Sequence, residues 1–494
     1  MKLHTKKYIQ SILLFIILIS IFISIFISFP LNPYDELWNF QNVFKMYNGY
    51  KIYNESNVIV TPIFFVIANL FFKIFSANLI TFRMYNILSL ILLYYSVYNI
   101  FKTLNIKKSL CKIYTFLIMM HTIQLFFVQA NYNILAIFTV FCAIFFHLKY
   151  YKKNMHNIIQ GIFIFLIFFI KQNIGVYYFI AIIVFELIED NISIHFFKNQ
   201  FIKLLFFLIP SIIALFILYL NNNFFNFVNY TFGGLFEFGH SNFKFSSSIF
   251  PVALCVFSLF TFIVILKNKK ILIKNSFSTE EMQHLTFFIC IAVFMTLSAF
   301  PIINTIHMII VLFFYMIPLL YFFDRTIIKD ITNTEKSDII INWISIIMLI
   351  FIPIKFTFGF YSDDVQYTKI NDPNNPFYNI YIETEYVEKI KTMSQYIKNK
   401  NKSGIDVIII ASDSALTMVP LNQNHGEFDL VFYGNLGYNG INNLIEKIKN
   451  SENTEYLIYT DEEDMFWQEP TEIREFIINN LTKTGEICNY SIYK

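Results

Sequence analysis

Long apolar segments separated by short polar ones fill the first 358 residues of the chain. A transmembrane helix needs about 20 mostly apolar residues, and many of the segments reach or approach that length. We predict spans near residues 9–29, 81–101, 113–129, 133–148, 157–171, 174–188, 201–220, 249–266, 285–301, 306–323 and 338–357. Residues 1–358 are therefore predicted to form a mainly α-helical, polytopic transmembrane bundle of about eleven spans.

The first span follows a lysine-rich start, as the apolar region of a signal peptide would. Ser28 is small, but Phe29, Pro30 and Leu31 do not complete a small-residue cleavage site. We therefore expect this segment to remain as a transmembrane helix.

Lysine and arginine positions predict the orientation of the bundle, because cytoplasmic loops are enriched in both residues. Such residues cluster at the N-terminus and in the loops near 102–112, 149–153, 267–274 and 325–336. The N-terminus is then cytoplasmic, and the first outer loop, residues 30–57, is extracytoplasmic.

Two apolar runs, 61–75 and 81–101, separate this outer loop from the inner loop at 102–112, although only one net crossing fits between them. We assign 81–101 as the span. The run at 61–75, which contains Lys73, is predicted to be an interfacial or re-entrant segment. A further helical hairpin among these spans would also place the two loops on opposite sides of the membrane.

The remaining residues, 359–494, change character and are predicted to form a small extracytoplasmic α/β domain. Short helical and strand patterns alternate in this part, which is typical of such domains. The predicted strands are 406–411, 455–460 and 486–493, and the predicted helices are 383–400, 440–450 and 470–483.

The first outer loop contains an amphipathic pattern that begins at an acid pair, Asp35-Glu36. Asn32 is a candidate N-cap, Pro33 suits the first helical position, and Gly49 can end the helix. Its aromatic and aliphatic stripe can lie in the headgroup layer of a membrane. Acids in a first helical turn also favour the helix dipole, which would explain the pair without any function.

Composition supports a membrane protein and excludes several other classes. The chain is 56% hydrophobic and 14% charged, where a soluble domain has about 25% charged residues. Residues 359–494 carry 21 acidic and 11 basic side chains, a net charge of −10, so the chain's total of +3 leaves +13 on residues 1–358. Cytoplasmic loops explain this basic excess, so nucleic-acid binding is not implied. The five cysteines show no disulfide framework or zinc spacing.

Polar residues collect at the predicted outer ends of the spans. Besides Asp35 and Glu36, they are Gln129, Asn131, Asn133, Lys171, Gln172, Asn173, Glu237, His240, Lys244, Asn304 and His307. Ionisable residues at a membrane edge are costly, so we treat this set as a candidate functional site.

Four stretches of the chain form an ordered set: YDELWNFQNVFKMYNGYKIYNESNVIVTPIFFVIANLFFKIF, ANYNILA, FIKQNIG and FPIINTIHMIIVL. This set resembles the GT-C superfamily of membrane glycosyltransferases, which includes protein O-mannosyltransferases and aminoarabinose transferases. The resemblance spans about residues 8–325 and, more loosely, the tail. An acid pair, a Gly-aromatic stretch (Asn48-Gly49-Tyr50) and a later proline (Pro62) occur in the family's order. Asn304 stands where relatives often carry Asp, and Thr61 where they often carry Lys or His before the proline.

The resemblance implies transfer of a sugar from a polyprenyl-phosphate donor to an acceptor hydroxyl on a glycan, a glycolipid or a protein. It assigns Asp35 as the general base of an inverting displacement and Glu36 as a catalytic partner that positions the acceptor or supports Asp35. Lys171, His307 and Arg83 are candidates to bind the donor phosphate. Snorkelling of Lys171, packing of His307 and interfacial anchoring of Arg83 are the structural alternatives.

Further candidate substrate-binding residues are Asn131, Asn133, Gln172, His240 and Tyr53, although the two asparagines can equally join helices by hydrogen bonds. No cofactor is expected. A divalent metal is possible but not indicated, since Glu55 and Glu237 are the other acids expected nearby. The tail motif WQEP at 467–470 is either a helix start or an acceptor contact.

Two other functions remain open. A lipid-linked glycan flippase or transporter would favour internal repeats and charges near mid-membrane, and a non-catalytic membrane assembly protein would keep the fold alone. The predicted location is the cytoplasmic membrane, with the N-terminus in the cytoplasm and the C-terminal domain outside.

Overall fold

The computed structural model describes residues 29–126, 131–151, 153, 155–190, 192–242, 249–275, 277–299, 305–328 and 365–494. The predicted spans at 9–29 and 338–357 lie outside these residues, except that Phe29 is described. Gln129, Lys244 and Asn304 also lie outside them.

Helices make up most of the described part of residues 29–328. They are α1 Asp35–Tyr47, α2 Ile63–Ile74, α3 Leu79–Thr103, α4 Lys108–Phe126, α5 Tyr132–Tyr150, α6 His156–Ile170, α7 Gln172–Asp190, α8 Ile194–Leu220, α9 Phe224–Val228, α10 Gly234–Asn242, α11 Ile249–Asn275, α12 Thr279–Thr296 and α13 Thr305–Phe323. Short π-helical segments at Asn229–Gly233 and Asp324–Ile328 join or extend them. Each predicted span from 81–101 to 306–323 coincides with one of these helices, which confirms the helical bundle.

Among the described residues, five helical segments are long and apolar enough to cross a membrane. They are Leu79–Thr103, Tyr132–Tyr150, Gln172–Asp190, Ile194–Leu220 and Thr279–Ala299. The run predicted as interfacial or re-entrant is the 12-residue helix α2. At about 1.5 Å per residue it is too short to cross a hydrocarbon core of about 30 Å.

Helix α1 begins at Asp35, two residues after the predicted start. Asn32 forms a local turn instead of capping the helix, because its Oδ1 accepts from the backbone N–H of Tyr34 at 2.8 Å. Leu37, Phe40 and Val43 are fully buried. Of the predicted stripe of Leu37, Phe40, Phe44 and Tyr47, the first two therefore pack on protein, whereas Tyr47 is 41% exposed.

The tail folds as a small α/β domain. Its elements are β1 Tyr367–Lys369, β2 Tyr381–Glu383, α14 Thr384–Lys402, β3 Asp406–Ile410, α15 Ala415–Leu421, α16 Gly440–Lys449, β4 Thr454–Tyr459, α17 Thr471–Asn480, β5 Lys483–Ile487 and β6 Tyr490–Tyr493. The main sheet has the order β3-β4-β6-β5, with β3 and β4 parallel and the other pairs antiparallel.

One expectation about this domain was wrong. The single strand predicted at 486–493 is a hairpin of β5 and β6, in which Cys488 has a φ of 52°. Strand β5 begins at Lys483, so the preceding helix ends at Asn480, before the predicted boundary at 483. A turn with positive φ usually carries Gly or Asn, and Cys gave no such signal.

The tail domain packs on the end of the helical part that carries α1, and α1 lies between them. The indole of Trp38 donates to the Ser412 carbonyl at 2.7 Å, and Lys45 forms a buried ion pair with Asp429. On another side Gly234 lies so close to the tail that a Cβ there would clash with the Gly434 carbonyl oxygen. These contacts place the tail over the same end of the helical part.

Candidate active site

A cavity of about 390 Å³ lies between the tail domain and the helix ends that it covers. Its wall combines α1, the segment at 57–60, the N-terminal ends of α5, α7 and α13, helix α10, and two tail loops. The lining residues include Asp35, Trp38, Asn57, Asn131, Tyr132, Asn133, Lys171, Gln172, His307, Phe432, Tyr433, Asn435, Phe466, Trp467 and Gln468.

Asp35 opens α1 and faces the cavity. Its side chain is accessible from the cavity yet closely surrounded by protein, and this burial raises the pKa of its carboxyl above the usual value. Within the described part of the chain, neither carboxylate oxygen accepts a hydrogen bond, whereas the backbone carbonyl of Asp35 accepts from the Asn39 amide at 2.7 Å. The carboxylate is therefore available to a bound molecule.

Lys171 supplies a positive charge to the same cavity, from the turn between α6 and α7. Its ammonium donates to the Asn133 side-chain oxygen at 2.5 Å and lies 5.4 Å from the centre of the Tyr132 ring. Burial lowers the pKa of Lys171 to about 8. Such a cation gains from an anion entering the cavity, because its present contacts do not neutralise it.

Three other predicted residues line the cavity as well. His307 stands in the first turn of α13. Asn131 caps α5 by accepting from the backbone of Asn133 and Ile134. The Gln172 amide donates to the carbonyls of Ile59 and Thr231, at 2.9 and 3.1 Å. The side-chain amides of Asn131 and Gln172 thus stabilise the cavity wall while they line the cavity.

The structure does not bring Glu36 and Arg83 to the cavity. Both side chains are 0% exposed and form a forked ion pair, with Nε–Oε1 at 2.7 Å and Nη2–Oε2 at 2.8 Å. The guanidinium also donates to the carbonyls of Phe29 and Pro30. Asp35 faces the cavity and Glu36 does not, because neighbouring residues of a helix point about 100° apart.

Tyr53 and His240 are also not among the residues that line the cavity. Tyr53 is fully buried, and its hydroxyl donates to the Val60 carbonyl at 2.8 Å, so it supports the segment that forms one wall. His240 belongs to α10, but its side chain lies outside the described part of the structure.

Sequence reasoning missed most of the tail's contribution. Phe432, Tyr433 and Asn435 come from one loop, and Phe466 to Gln468 from another. The second loop follows β4, which is parallel to β3, and ligands of α/β sheets often bind beyond the carboxyl ends of parallel strands. The motif at Trp467 was therefore the available signal.

Among the described residues, no group of three or more His, Cys, Asp or Glu side chains could hold a metal ion. The acidic and basic side chains among the described lining residues are Asp35, Lys171 and His307. The site thus combines one acid with two nitrogen bases in an otherwise neutral wall.

Comparison with solved structures identifies the fold. The crystal structure of ArnT from Cupriavidus metallidurans bound to undecaprenyl phosphate matches with a TM-score of 0.55 over 98% of this chain and 97% of that chain, at 9% sequence identity. The chain has the fold of the GT-C glycosyltransferase ArnT. It is accordingly a multi-pass membrane protein with an ArnT-like fold.

The apo structure of ArnT also matches, with a TM-score of 0.48 and 7% identity over 99% of this chain and 98% of that chain. The sequence matches no protein-family model, and comparison with curated proteins gives no match either. At such low identity the likeness establishes the fold, and the activity must be argued from the site.

Proposed function

We propose that this protein is a membrane glycosyltransferase, which transfers a sugar from a polyprenyl-phosphate donor to a hydroxyl group of an extracytoplasmic acceptor. The observation that carries the proposal is the cavity in which an unengaged carboxylate, Asp35, and two nitrogen bases, Lys171 and His307, face one space. The ArnT-like fold supports it, since that neighbour was crystallised with undecaprenyl phosphate.

Asp35 acts as the general base. As the acceptor oxygen attacks the anomeric carbon, the bond from that carbon to the phosphate oxygen breaks, and the hydroxyl proton passes to the carboxylate. A raised pKa brings the carboxylate closer to the value at which a base works well near neutral pH. Direct displacement by one nucleophile inverts the anomeric configuration.

Lys171 and His307 stabilise the departing phosphate. Negative charge grows on the leaving oxygen as the bond breaks, and a fixed cation in a partly enclosed site stabilises that charge. Asn133 holds the Lys171 ammonium in place through the hydrogen bond at 2.5 Å. Lysine acts here as a compact point charge, which suits a single leaving phosphate.

Glu36 and Arg83 have a supporting part in this proposal. Their ion pair anchors the start of α1 to α3, and Asp35 is the residue immediately before Glu36. The resemblance suggested a catalytic role for Glu36 and a phosphate contact for Arg83. We propose instead that both residues position Asp35.

The proposed location is the outer face of the cytoplasmic membrane. The lysine-rich loops predict that the loop carrying Asp35 is extracytoplasmic, and the acidic tail domain packs on the same side. The charges in the cavity therefore lie near one membrane face, which favours transfer over transport of the lipid-linked sugar through the bilayer.

Lipid-linked sugar profiling tests the proposal. Cells lacking the gene are expected to accumulate a polyprenyl-phosphate sugar, and the wild-type gene should remove it. Asp35→Asn should express normally in the membrane yet fail to remove it. The control is Glu55→Gln, a carboxylate in the same outer loop that accepts from the Lys51 backbone, and it should behave as wild type.

Full complementation by Asp35→Asn would remove this carboxylate from the mechanism. A flippase is distinguished with the purified protein, because a transferase releases polyprenyl phosphate from the accumulated donor when acceptor is present. The transferase proposal is contradicted if the protein depletes the donor in cells but the purified protein never releases polyprenyl phosphate in detergent.

A further inference from the structure

The cavity wall contributed by the tail domain differs in character from the wall near Lys171. We infer that this tail wall is a binding subsite for a neutral carbohydrate, so that the acceptor hydroxyl belongs to a sugar ring. This inference rests on the proposed function and narrows its acceptor. The tail wall consists of Leu430, Phe432, Tyr433, Asn435, Phe466, Trp467 and Gln468.

Trp467 provides the platform. Its side chain lines the cavity while remaining 52% exposed, so one part of the indole is open to a ligand. Within the described ranges, its ring nitrogen donates to no protein atom. The face of an aromatic ring carries partial negative charge and attracts the weakly positive C–H groups on one face of a pyranose. Its N–H can in addition donate to a sugar hydroxyl.

The neighbouring aromatic residues hold this platform in place. The Phe466 ring lies 5.2 Å from that of Trp38 and 5.6 Å from that of Phe432, so α1 and both tail loops meet there. The Glu469 carboxylate accepts from the backbone of Phe466 at 3.2 Å and of Ser412 at 2.9 Å. These contacts fix Phe466, and its ring lies 5.7 Å from that of Trp467. Trp467 therefore packs against an ordered neighbour, which reduces the freedom lost when a ligand binds.

A backbone hydrogen bond joins the two loops of the tail wall. The N–H of Tyr433 donates to the Gln468 carbonyl at 2.9 Å, which keeps Gln468 and Asn435 on the same wall as Trp467. Amide side chains both donate and accept, as sugar hydroxyls do. The described lining includes seven asparagines and two glutamines.

Charge distinguishes this subsite from the phosphate end. The seven residues of the tail wall are all uncharged, whereas the cation of the site, Lys171, belongs to the membrane part, in the turn between α6 and α7. A phosphorylated or cationic acceptor would leave its charge without a counter-charge there, at a cost in desolvation. A neutral sugar meets no such cost.

Saturation-transfer NMR with the whole protein in nanodiscs tests the inference. The probes are methyl glycosides of neutral hexoses and of N-acetylglucosamine, together with serine- and threonine-containing peptides. Trp467→Ala is expected to weaken binding of at least one glycoside about tenfold, and Trp467→Phe should restore part of it. The control is Tyr438→Ala, which removes a ring of the tail domain that is 68% exposed and does not line the cavity.

Binding of undecaprenyl phosphate is measured in parallel and should be unchanged by Trp467→Ala but weakened by Lys171→Ala. Peptide binding without glycoside binding, or equal glycoside binding by wild type and Trp467→Ala, overturns the inference even if the lipid binds normally. If the lipid does not bind, the proposed function fails, and the glycoside result is judged on its own.

Discussion

Replacing Glu36 separates a structural role from a catalytic one. The side chains of Glu36 and Arg83 are both 0% exposed in the folded protein. Glu36→Gln therefore leaves the guanidinium of Arg83 buried opposite a neutral amide. Removing one partner of a buried ion pair typically costs about 3–5 kcal/mol, because the remaining charge has lost its counter-charge. The two carbonyls that also accept from Arg83 offset only part of this cost, since they carry no net charge.

Thermal unfolding in detergent measures the effect, and sugar transfer is measured per folded molecule. Glu36→Gln should lower the unfolding midpoint by about 5 °C, given the usual relation between stability and midpoint for large chains. The double variant Glu36→Leu/Arg83→Met should recover most of the loss, because a buried pair can often be exchanged for apolar residues. Glu55→Gln, in the same outer loop, should change the midpoint little.

The opposite pattern would refute this reasoning. If Glu36→Gln unfolds at the wild-type midpoint but transfers no sugar, then Glu36 acts on the substrate, as the resemblance implied. A double variant that is less stable than Glu36→Gln alone would show that Arg83 stabilises the fold through other contacts.

Two pH effects follow from the same structure. The rate of sugar transfer should rise with pH as Asp35 loses its proton, at a pH above the ordinary carboxyl range, and should fall as Lys171 loses its proton near pH 8. Lys171→Arg should move the alkaline fall to higher pH. An unchanged pH profile in this variant would count against the role of Lys171. Burial opposes protonation of His425, but Asp406 and Asp429 outweigh it and raise its pKa to about 9. Its stabilising charge is then present below about pH 6.5 and lost through pH 9, so the unfolding midpoint should fall over that range in wild type and less in His425→Gln.

Helix positions in the membrane part were predictable from the sequence. Apolar segments of bilayer length can satisfy their backbone groups only as helices, and they did so within a few residues from 81–101 to 306–323. The tail's alternating pattern likewise predicted β3, β4 and the helices between them. Both results depend on local chemistry, which the sequence contains.

The roles within the acid pair could not be read from the sequence. Asp35 and Glu36 are adjacent and chemically alike, yet one faces the cavity and the other an arginine 47 positions away. The packing of α3 against α1 decides which of the two carboxylates pairs with Arg83. This packing joins residues that are distant in the sequence, so local sequence patterns do not reveal it.

The sequence by itself determined that the chain is a helical membrane protein with an acidic α/β tail, and that its polar residues gather at one end of the bundle. Only the tertiary structure showed that the tail forms one wall of the cavity. Loops such as 430–435 and 466–468 carry no periodic signal, because their place depends on which surfaces the sheet and α1 bury together. Hydrophobic periodicity reports which face of an element is buried, but not the partner against which it is buried.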